Sequence, residues 1–320
     1  MALRKSALTL EEFEKYMFGV DIIGDIHGHA DRLHQLLKMM DYRELDGIYY
    51  HPERKVMFLG DFIDRGPDQV EVLRIVRTMC TNSVADAIMG NHEFNAIGWV
   101  TETSQGHYLR SHSPEHRQQH QEFLDQFGEG SHAHSEAIEW FRTLPAYSVK
   151  NDLRFVHACW HKPSLDLLSR KCLDMQGRFT KSGFLAAHER KTSLYQSAEI
   201  VLKGPEQKLP DNITFRDKSG HVRTEARIKW WDEEATQSMR TGLLGLEGAS
   251  VETPDIPVGK DYVYKDQTPV FFGHYWLNGL PDLTSDYAQC LDYSVAKNGY
   301  LAAYRWSGEQ QIVKNHLVWC

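Results

Sequence analysis

Three short apolar runs in the first hundred residues each end in a glycine that is followed by an acidic or amide side chain. The runs cover residues 20–23, 56–59 and 84–89, and the pairs that follow are Gly24-Asp25, Gly60-Asp61 and Gly90-Asn91. Between the runs, residues 30–40 and 69–79 have the apolar spacing that predicts amphipathic helices. This alternation predicts two consecutive βαβ units, and therefore an α/β fold around a sheet with a parallel core. Open α/β sheets carry their sites at the carboxyl ends of the strands, where these polar residues stand.

The remainder of the chain has a weaker pattern. Further β-like runs occur at residues 153–156, 269–272, 300–304 and 311–313. Residues 101–135 are polar and rich in histidine, and we expect part of this stretch to be helical. Residues 162–260 are less periodic, and we interpret them as an elaboration of the core. Because the sequence has no internal repeat and no clear linker, we expect residues 1–320 to form a single domain.

The charge balance and the cysteines indicate which partners and which cellular compartment to expect. The chain has 36 Lys and Arg against 44 Asp and Glu, a net charge of −8, which disfavours non-specific binding to a nucleic-acid polymer. Its five cysteines form no C-x-x-C pair, which is typical of a reducing compartment. Residues 1–18 lack the apolar run of a signal peptide, and no stretch approaches the ~18–20 apolar residues of a membrane span. We therefore expect a cytoplasmic protein without a membrane partner.

The side chains at the three early strand ends have the chemistry of metal ligands. Asp25 and His27 are two residues apart, so their side chains can point the same way and hold one ion together. Asp61 could bridge two ions with its two oxygens, and Asn91 offers a neutral carbonyl oxygen. These residues predict a metal site at the edge of the sheet.

Two late histidines, His157 and His274, follow β-like runs in the same way and are candidates for the remaining ligands. A set of imidazole, carboxylate and amide donors suits Mn²⁺, Fe or Zn²⁺ better than Mg²⁺ or Ca²⁺, and we expect two divalent ions, Mn²⁺ first. With a bridging hydroxide, such a cluster keeps a net charge of about +1, which attracts an anionic phosphate. A phosphorylated substrate, either a phosphoprotein or a nucleotide, is the expected partner.

Three further residues of these motifs are candidates for catalysis. His92 could donate a proton to the leaving oxygen, and Asp64 could hold its ring protonated and oriented. Arg65 offers a planar fork to phosphate oxygens. No protein nucleophile is needed, because a metal-bridging hydroxide can attack phosphorus directly.

The motifs Gly-Asp-x-His-Gly, Gly-Asp-x-x-Asp-Arg-Gly and Gly-Asn-His-Glu, in this order and spacing, resemble the PPP family of calcineurin-like metallophosphoesterases. That family includes serine/threonine protein phosphatases and symmetrical diadenosine tetraphosphatases. The resemblance implies two mixed β-sheets packed as a sandwich, flanked by helices, with a dimetal site at the sheet edge. It supports the pairing of Asp64 with His92. It also implies a ligand set of Asp25, His27, Asp61, Asn91, His157 and His274.

Departures from the family pattern leave the substrate open. Met89 before Gly90 and Ala158 after His157 both differ from the residues that protein phosphatases carry at these positions. Ala158 is typical of the tetraphosphatases, whereas Glu93 is typical of protein phosphatases. The first hypothesis is hydrolysis of phosphomonoesters, with phosphoproteins as one candidate substrate, and the alternative is a dinucleoside polyphosphate hydrolase. A third hypothesis, a catalytically silent metal-binding scaffold, is disfavoured by the intact His92 and Asp64.

Three further groups of residues have open interpretations. The resemblance implies a second phosphate-binding arginine, for which Arg216, Arg223 and Arg227 are candidates. A helical face with a histidine every four residues is expected to be solvated, with a metal site as the alternative: His112, His116 and His120. Aromatic residues near the motifs are expected to pack in the core, with stacking on a base as the alternative: Trp160, Trp230, Trp231, Tyr275 and Trp276.

Overall fold

A computed structural model describes residues 19–216, 220, 222–246 and 253–320 of the chain. Residues 1–18, on which part of the predicted localisation rests, lie outside this range. Among the described residues, no helix combines the length and the apolar character that a bilayer crossing requires.

The strands and helices alternate in the first third of the chain, as predicted, and the helices dominate its middle. The strands are β1 Gly19–Ile23, β2 Arg43–Leu45, β3 Ile48–Tyr50, β4 Arg54–Phe58, β5 Ala85–Ala87, β6 Tyr147–Lys150, β7 Leu153–Val156, β8 Glu206–Lys208, β9 Phe215–Arg216, β10 Val222–Arg223, β11 Glu225–Arg227, β12 Val270–Phe272, β13 Ala288–Cys290, β14 Asp292–Tyr293, β15 Tyr300–Trp306 and β16 Leu317–Trp319. The helices are α1 Ala30–Met39, α2 Gln69–Thr81, α3 Asn91–Val100, α4 Pro114–Phe127, α5 His132–Phe141, α6 Lys162–Lys171, α7 Lys181–His188, α8 Ser193–Lys203 and the short α9 Met239–Gly242.

Two mixed sheets form the centre of the fold. The first has the strand order β14-β15-β1-β4-β5, with β16 paired to β15. Within it, β1, β4 and β5 are parallel, as the two βαβ units predict, and β15 is antiparallel to β1. The second sheet has the order β13-β12-β7-β6, in which only β6 runs antiparallel to its neighbour. Both sheets therefore have a parallel core with antiparallel strands at the edge.

The sheets pack face to face through alternate side chains of their strands. Ile22 faces the opposite sheet, whereas Ile23 beside it faces the helices, as the two-residue period of a strand requires. The ring of Phe271 in the second sheet lies 5.0 Å from the ring of Tyr304 in the first and 6.1 Å from that of Phe155. The predicted sandwich is therefore present, with an aromatic core between its layers.

Helices cover the outer faces of the sandwich. On the first sheet, α1 buries Leu33, Leu36 and Leu37 in a cluster that also contains Val56 and Phe58 of β4. On the second sheet, α6 and α8 contribute apolar side chains to the same continuous cluster. Each helix thus buries one apolar stripe and leaves its polar side exposed.

Residues 206–258 bury a smaller cluster of their own, and we name this stretch the hairpin module. It contains the antiparallel pairs β8–β11 and β9–β10. Eight of its described apolar side chains form a group separate from the core of the sandwich: Leu209, Ile213, Ala226, Ile228, Met239, Leu243, Leu246 and Val258. Trp230 and Trp231 of the same stretch pack in the sandwich core instead.

One of the predicted elements was wrong. Residues 311–313 are not a strand, because the backbone N–H groups of Ile312 and Val313 bond to Asp286 and Tyr304 outside any ladder. The last strand is β16 instead. Residues 162–203, interpreted as less periodic, form the three helices α6, α7 and α8. Side-chain caps at Thr180 and Thr192 begin two of them, a signal that apolar spacing alone does not include.

A buried carboxylate ties β1 to its neighbours at the end of the sheet away from the motif loops. Asp21 has no solvent exposure and accepts hydrogen bonds from Arg54 at 2.9 Å, Arg305 at 3.1 Å and the Tyr42 hydroxyl at 3.0 Å. We expect Asp21→Ala to lower the free energy of unfolding by roughly 3–5 kcal/mol, because two arginines would lose their buried partner. Urea denaturation measures this change.

Glu139→Ala is the matched control for that substitution. Glu139 also bonds an arginine, Arg142, at 3.2 Å, but its side chain is 74% exposed. Its loss should change the free energy of unfolding by no more than about 0.5 kcal/mol. If both variants lowered the free energy of unfolding equally, burial of the Asp21 ion pairs would not be the cause of the effect.

Candidate metal centre and catalytic site

The loops after β1, β4 and β5 come together because glycines allow close contact between their backbones. Gly60 has a φ of 91°, and a Cβ at this position would lie 2.3 Å from the backbone nitrogen of Gly90. Gly273 is equally constrained, since its Cβ would lie 1.9 Å from a carboxylate oxygen of Asp25. Larger residues at these points would push apart the loops that carry the polar side chains.

Asp61 lies at the centre of the predicted ligands. It belongs to both groups of metal-capable side chains found among the described residues, His27-Asp61-His92 and Asp61-His157-His274, whose ligand atoms lie within 4.8 Å of one another in each group. One oxygen of Asp61 is 3.6 Å from Nε2 of His27, and the other is 3.3 Å from Nε2 of His157. A carboxylate shared in this way has the arrangement of a ligand that bridges two ions.

The other predicted ligands surround this carboxylate. Asn91 Oδ1 lies 3.0 Å from Nε2 of His157. Asp25 accepts the backbone N–H of His274 at 3.0 Å, which ties the loop after β12 to the loop after β1. The structure therefore brings all six predicted ligands to one edge of the sandwich. Their binding of metal stays a prediction.

Two imidazole nitrogens indicate that the site fits metal ions. Nε2 of His27 and Nε2 of His274 are buried without a hydrogen-bond partner. The other nitrogen of His27 is bonded to the carbonyl of Ile63 at 2.9 Å, and that of His157 to the carbonyl of Leu59 at 2.8 Å. Second contacts of this kind orient a histidine so that its remaining nitrogen is available to a metal.

The electrostatics of the cluster depend on burial and on mutual charge. Burial and the positive charge of His92 lower the pKa of His27 to about 3. Burial also lowers the pKa of His274, aided by the charges of Arg227 and His157. For His157, burial favours the neutral ring, but the Asp61 carboxylate outweighs it and raises the pKa to about 10.

The two carboxylates respond in opposite directions. Burial and the charge of Asp292 raise the pKa of Asp25 well above its ordinary value. Burial acts the same way on Asp61, but the neighbouring imidazoles of His157 and His92 outweigh it and lower its pKa. In the metal-free protein, Asp61 therefore carries the negative charge of the cluster, and His157 is its cation.

Glu93 holds two ligand-bearing loops in place, a role that the sequence motif did not reveal. It is fully buried, and its carboxylate accepts the backbone N–H groups of Gly90, Asp61 and Phe62 at 2.8–3.0 Å. Burial and the charge of Asp61 raise its pKa to about 7. These bonds stabilise a strained region, because Asp61 itself has a positive φ of 53°.

His92 and Asp64 form the predicted pair. Nδ1 of His92 lies 2.5 Å from one oxygen of Asp64, and its Nε2 lies 3.8 Å from Asp61 on the metal side. Burial raises the pKa of Asp64, but the charge and hydrogen bonds of His120, together with those of His92, lower it well below the usual range. Asp64 therefore stays an anion that can orient a protonated His92.

The three histidines predicted to share a helical face do not do so, because α4 begins at Pro114 and His112 precedes it. His112 stacks on Trp99 with 3.7 Å between ring centroids, and His116 bonds to Ser111. Only His120 points inward, where its Nδ1 reaches the second oxygen of Asp64 at 2.7 Å. The predicted solvated face is thus wrong for His120, and the three rings have separate partners rather than a common metal.

Two arginines are candidates for binding a phosphate group at this site. The guanidinium of Arg65 lies over the ring of Trp276 at 4.0 Å, a contact that sequence reasoning missed. Of the three candidates for a second arginine, Arg227 is the one whose charge lowers the pKa of a ligand, His274. Arg216 instead bonds the carbonyl of Gly220 within the exposed hairpin β9–β10.

The aromatic residues divide between the core and the site. Trp230, Trp231 and Tyr275 are at most 5% exposed and pack around Phe272, so the expected core packing is correct for them. Trp276 is partly exposed, and its ring lies 6.3 Å from that of His27. It is therefore a partly exposed aromatic ring beside the candidate site.

Comparison with known proteins gives a family match over most of the chain. A sequence model of the calcineurin-like phosphoesterases matches residues 18–238. An asymmetrical bis(5'-nucleosyl)-tetraphosphatase of Oceanobacillus iheyensis is 40% identical over 74 residues, which make up 23% of this chain and 30% of that relative. A symmetrical bis(5'-nucleosyl)-tetraphosphatase of Vibrio cholerae is 30% identical over 138 residues, 43% of each chain. The chain thus spans less than half the length of these curated relatives.

A solved structure of a serine/threonine phosphatase from Saccharomyces cerevisiae has a TM-score of 0.49 to this chain. The two proteins are 12% identical, and the superposition covers 96% of this chain and 80% of the yeast chain.

The pKa of His157 leads to a test of metal binding. The ring must be neutral to bind an ion, and a pKa of about 10 means that it carries a proton at pH 7 in the metal-free protein. We expect Mn²⁺ binding at pH 7 to release at least one proton, and the affinity to rise with pH between 6 and 8. Titration calorimetry in two buffers of different ionisation enthalpy measures this release. Binding without proton release would contradict the predicted role of His157.

Proposed function

The chain belongs to the calcineurin-like phosphoesterase family, and from this premise we propose that it hydrolyses phosphomonoesters, including those of phosphoproteins, with two divalent metal ions. Family membership confirms the resemblance that the three motifs indicated, the α/β sandwich fold and the assignment as a hydrolase. The observation that carries the finer proposal is the position of Asp61 in both groups of metal-capable side chains.

The ligand set supports two ions rather than one. Asp25, His27 and Asp61 would hold one ion, and Asp61, Asn91, His157 and His274 would hold the other. The mixture of imidazole, carboxylate and amide donors supports Mn²⁺ as the resident ion, with Fe or Zn²⁺ as alternatives. When bound, such ions supply an activated water and neutralise the charge of the phosphate.

The remaining side chains would bind the phosphate group and donate the proton to the leaving group. Arg65 and Arg227 would bind phosphate oxygens, with Trp276 keeping the guanidinium of Arg65 oriented toward the site. His92 would give a proton from Nε2 to the leaving oxygen, while Asp64 holds Nδ1. When an alkyl phosphomonoester is hydrolysed, the leaving group is a strongly basic alkoxide that needs a proton. A well-oriented proton donor therefore supports this substrate class.

A dinucleoside polyphosphate is the second candidate substrate. It is supported by the names of the relatives from Oceanobacillus iheyensis and Vibrio cholerae, both bis(5'-nucleosyl)-tetraphosphatases. The partly exposed ring of Trp276 beside the site could stack on a base. The two candidates share one metal centre and differ in what binds the rest of the substrate.

The compartment and the domain organisation remain proposals. All five cysteines are free, which supports a reducing environment and the predicted cytoplasmic location. We retain the interpretation of residues 1–320 as a single metallophosphoesterase domain, with residues 162–260 as its elaboration.

The substrate is tested by product analysis on Mn²⁺-loaded protein. A phosphopeptide and diadenosine tetraphosphate are offered in parallel, each with a chelator control. We expect chelator-sensitive release of phosphate from the peptide. Preferential cleavage of the tetraphosphate would favour the second candidate. No turnover of either would contradict both a phosphoprotein and a dinucleoside polyphosphate as substrate, and would leave small phosphomonoesters or the silent scaffold.

The role of His92 is tested by His92→Asn. The amide nitrogen of asparagine occupies nearly the position of Nδ1 and keeps the bond to Asp64, but nothing replaces Nε2. We expect kcat to fall about 10²–10⁴-fold, the usual contribution of a general acid, with the bound Mn²⁺ per chain unchanged. Steady-state kinetics and elemental analysis measure the two quantities. Unchanged turnover would remove His92 from the mechanism, and loss of Mn²⁺ would make it a ligand.

A further inference from the structure

The Asp64 carboxylate lies between two imidazole rings. His92 reaches one oxygen at 2.5 Å, and His120 reaches the other at 2.7 Å, in both cases through Nδ1. An ionised carboxylate only accepts hydrogen bonds, so both rings act as donors to it. We propose that His120 is a positioning residue, which fixes the Asp64 carboxylate and, through it, the imidazole of His92. This inference rests on the proposed function, in which His92 donates the proton.

The surroundings of His120 keep its ring in one place. The residue is 3% exposed, and the ring of Phe123 stacks on it with 4.9 Å between centroids. Trp99 lies against it at 5.7 Å and belongs to α3, the helix whose first turn contains His92. A ring held on two sides in this way has little freedom to rotate away from Asp64.

Helix α4 also supports the backbone of Asp64. Gln126, six residues after His120, accepts the backbone N–H of Gln69 at 2.7 Å, and the side chain of Gln69 accepts the backbone N–H of Asp64 at 2.9 Å. Asp64 needs this support because its φ of 68° is unfavourable for a residue with a side chain. One helix therefore fixes both the main chain and the carboxylate of Asp64.

Loss of His120 should weaken proton donation without weakening metal binding. The carboxylate would lose the donor on its second oxygen and could rotate, so that His92 would no longer be held in a single orientation. His120 itself contacts no predicted metal ligand through any hydrogen bond among the described residues. The consequence should depend on how much the leaving group needs a proton.

Two aryl phosphates separate this role from a general loss of structure. Phenolate is a more basic leaving group than 4-nitrophenolate and depends more on a proton donor. We expect His120→Phe to lower kcat for phenyl phosphate about 10–100-fold, and kcat for 4-nitrophenyl phosphate much less, at unchanged KM and Mn²⁺ content. His120→Asn should restore most of the activity, because its amide nitrogen can replace Nδ1 as the donor.

His134→Phe is the matched control. His134 lies on the neighbouring helix α5, is also 3% exposed and packs against the same Phe123 at 5.5 Å, but forms no hydrogen bond with Asp64. The His134→Phe variant should leave the ratio of the kcat values for the two aryl phosphates unchanged.

A double variant tests the same proposal. In a His92→Asn background, His120→Phe should cause no further loss of kcat, because the two residues act in series. An additive loss, or equal losses on both esters, would overturn the proposal.

A readout without turnover separates this proposal from the proposed function. The short hydrogen bond between His92 and Asp64 should give a strongly downfield proton resonance in the NMR spectrum of the full chain. That resonance should shift or broaden in His120→Phe and stay in place in His134→Phe. If the wild type hydrolyses neither ester but the resonance responds in this way, the proposed function fails and the positioning role stands. A resonance insensitive to His120→Phe refutes the positioning role.

Discussion

The carboxylate of Asp61 is the point on which the rest of the site depends. It lies in the loop after β4 of the first sheet, yet its imidazole neighbours include His157, which follows β7 of the second sheet, and His92 of α3. A buried anion is stable only if it is paired, so the fold must bring cations or metal ions to it from both layers. The charge balance at Asp61 therefore depends directly on how the two sheets pack against each other.

The backbone around Asp61 is under strain, and hydrogen bonds to its amide groups stabilise the strained conformation. Positive φ angles occur at His27, Asp61, Asp64 and His274, where side chains normally disfavour them. Glu93 satisfies three amides next to this strain, and Gln69 satisfies that of Asp64. Neither residue touches the predicted substrate position. Their function is to hold an unfavourable conformation that directs the polar side chains toward one point.

Short-range patterns in the sequence were sufficient to predict the parallel strands and the meeting of the motif side chains, whereas the sandwich was predicted from the resemblance to the PPP family. A glycine and a polar residue at a strand end have a defined direction in space. The contact of His120 with Asp64 spans 56 residues and depends on where α4 packs, which no local pattern contains. The same reason hid the contact of Arg65 with Trp276. The false strand at residues 311–313 had apolar character but found its hydrogen bonds elsewhere.

The hairpin module has a consequence for how substrate affinity can vary. Arg227 belongs to this module, which has an apolar cluster of its own and is joined to the sandwich core through Trp230 and Trp231. Cooperative units with separate cores can open with different free energies. In the proposed function, recognition of the phosphate group by Arg227 and assembly of the metal centre are then governed by two free energies rather than one. Solvent conditions that loosen the module could abolish substrate capture while the chain still retained its ions.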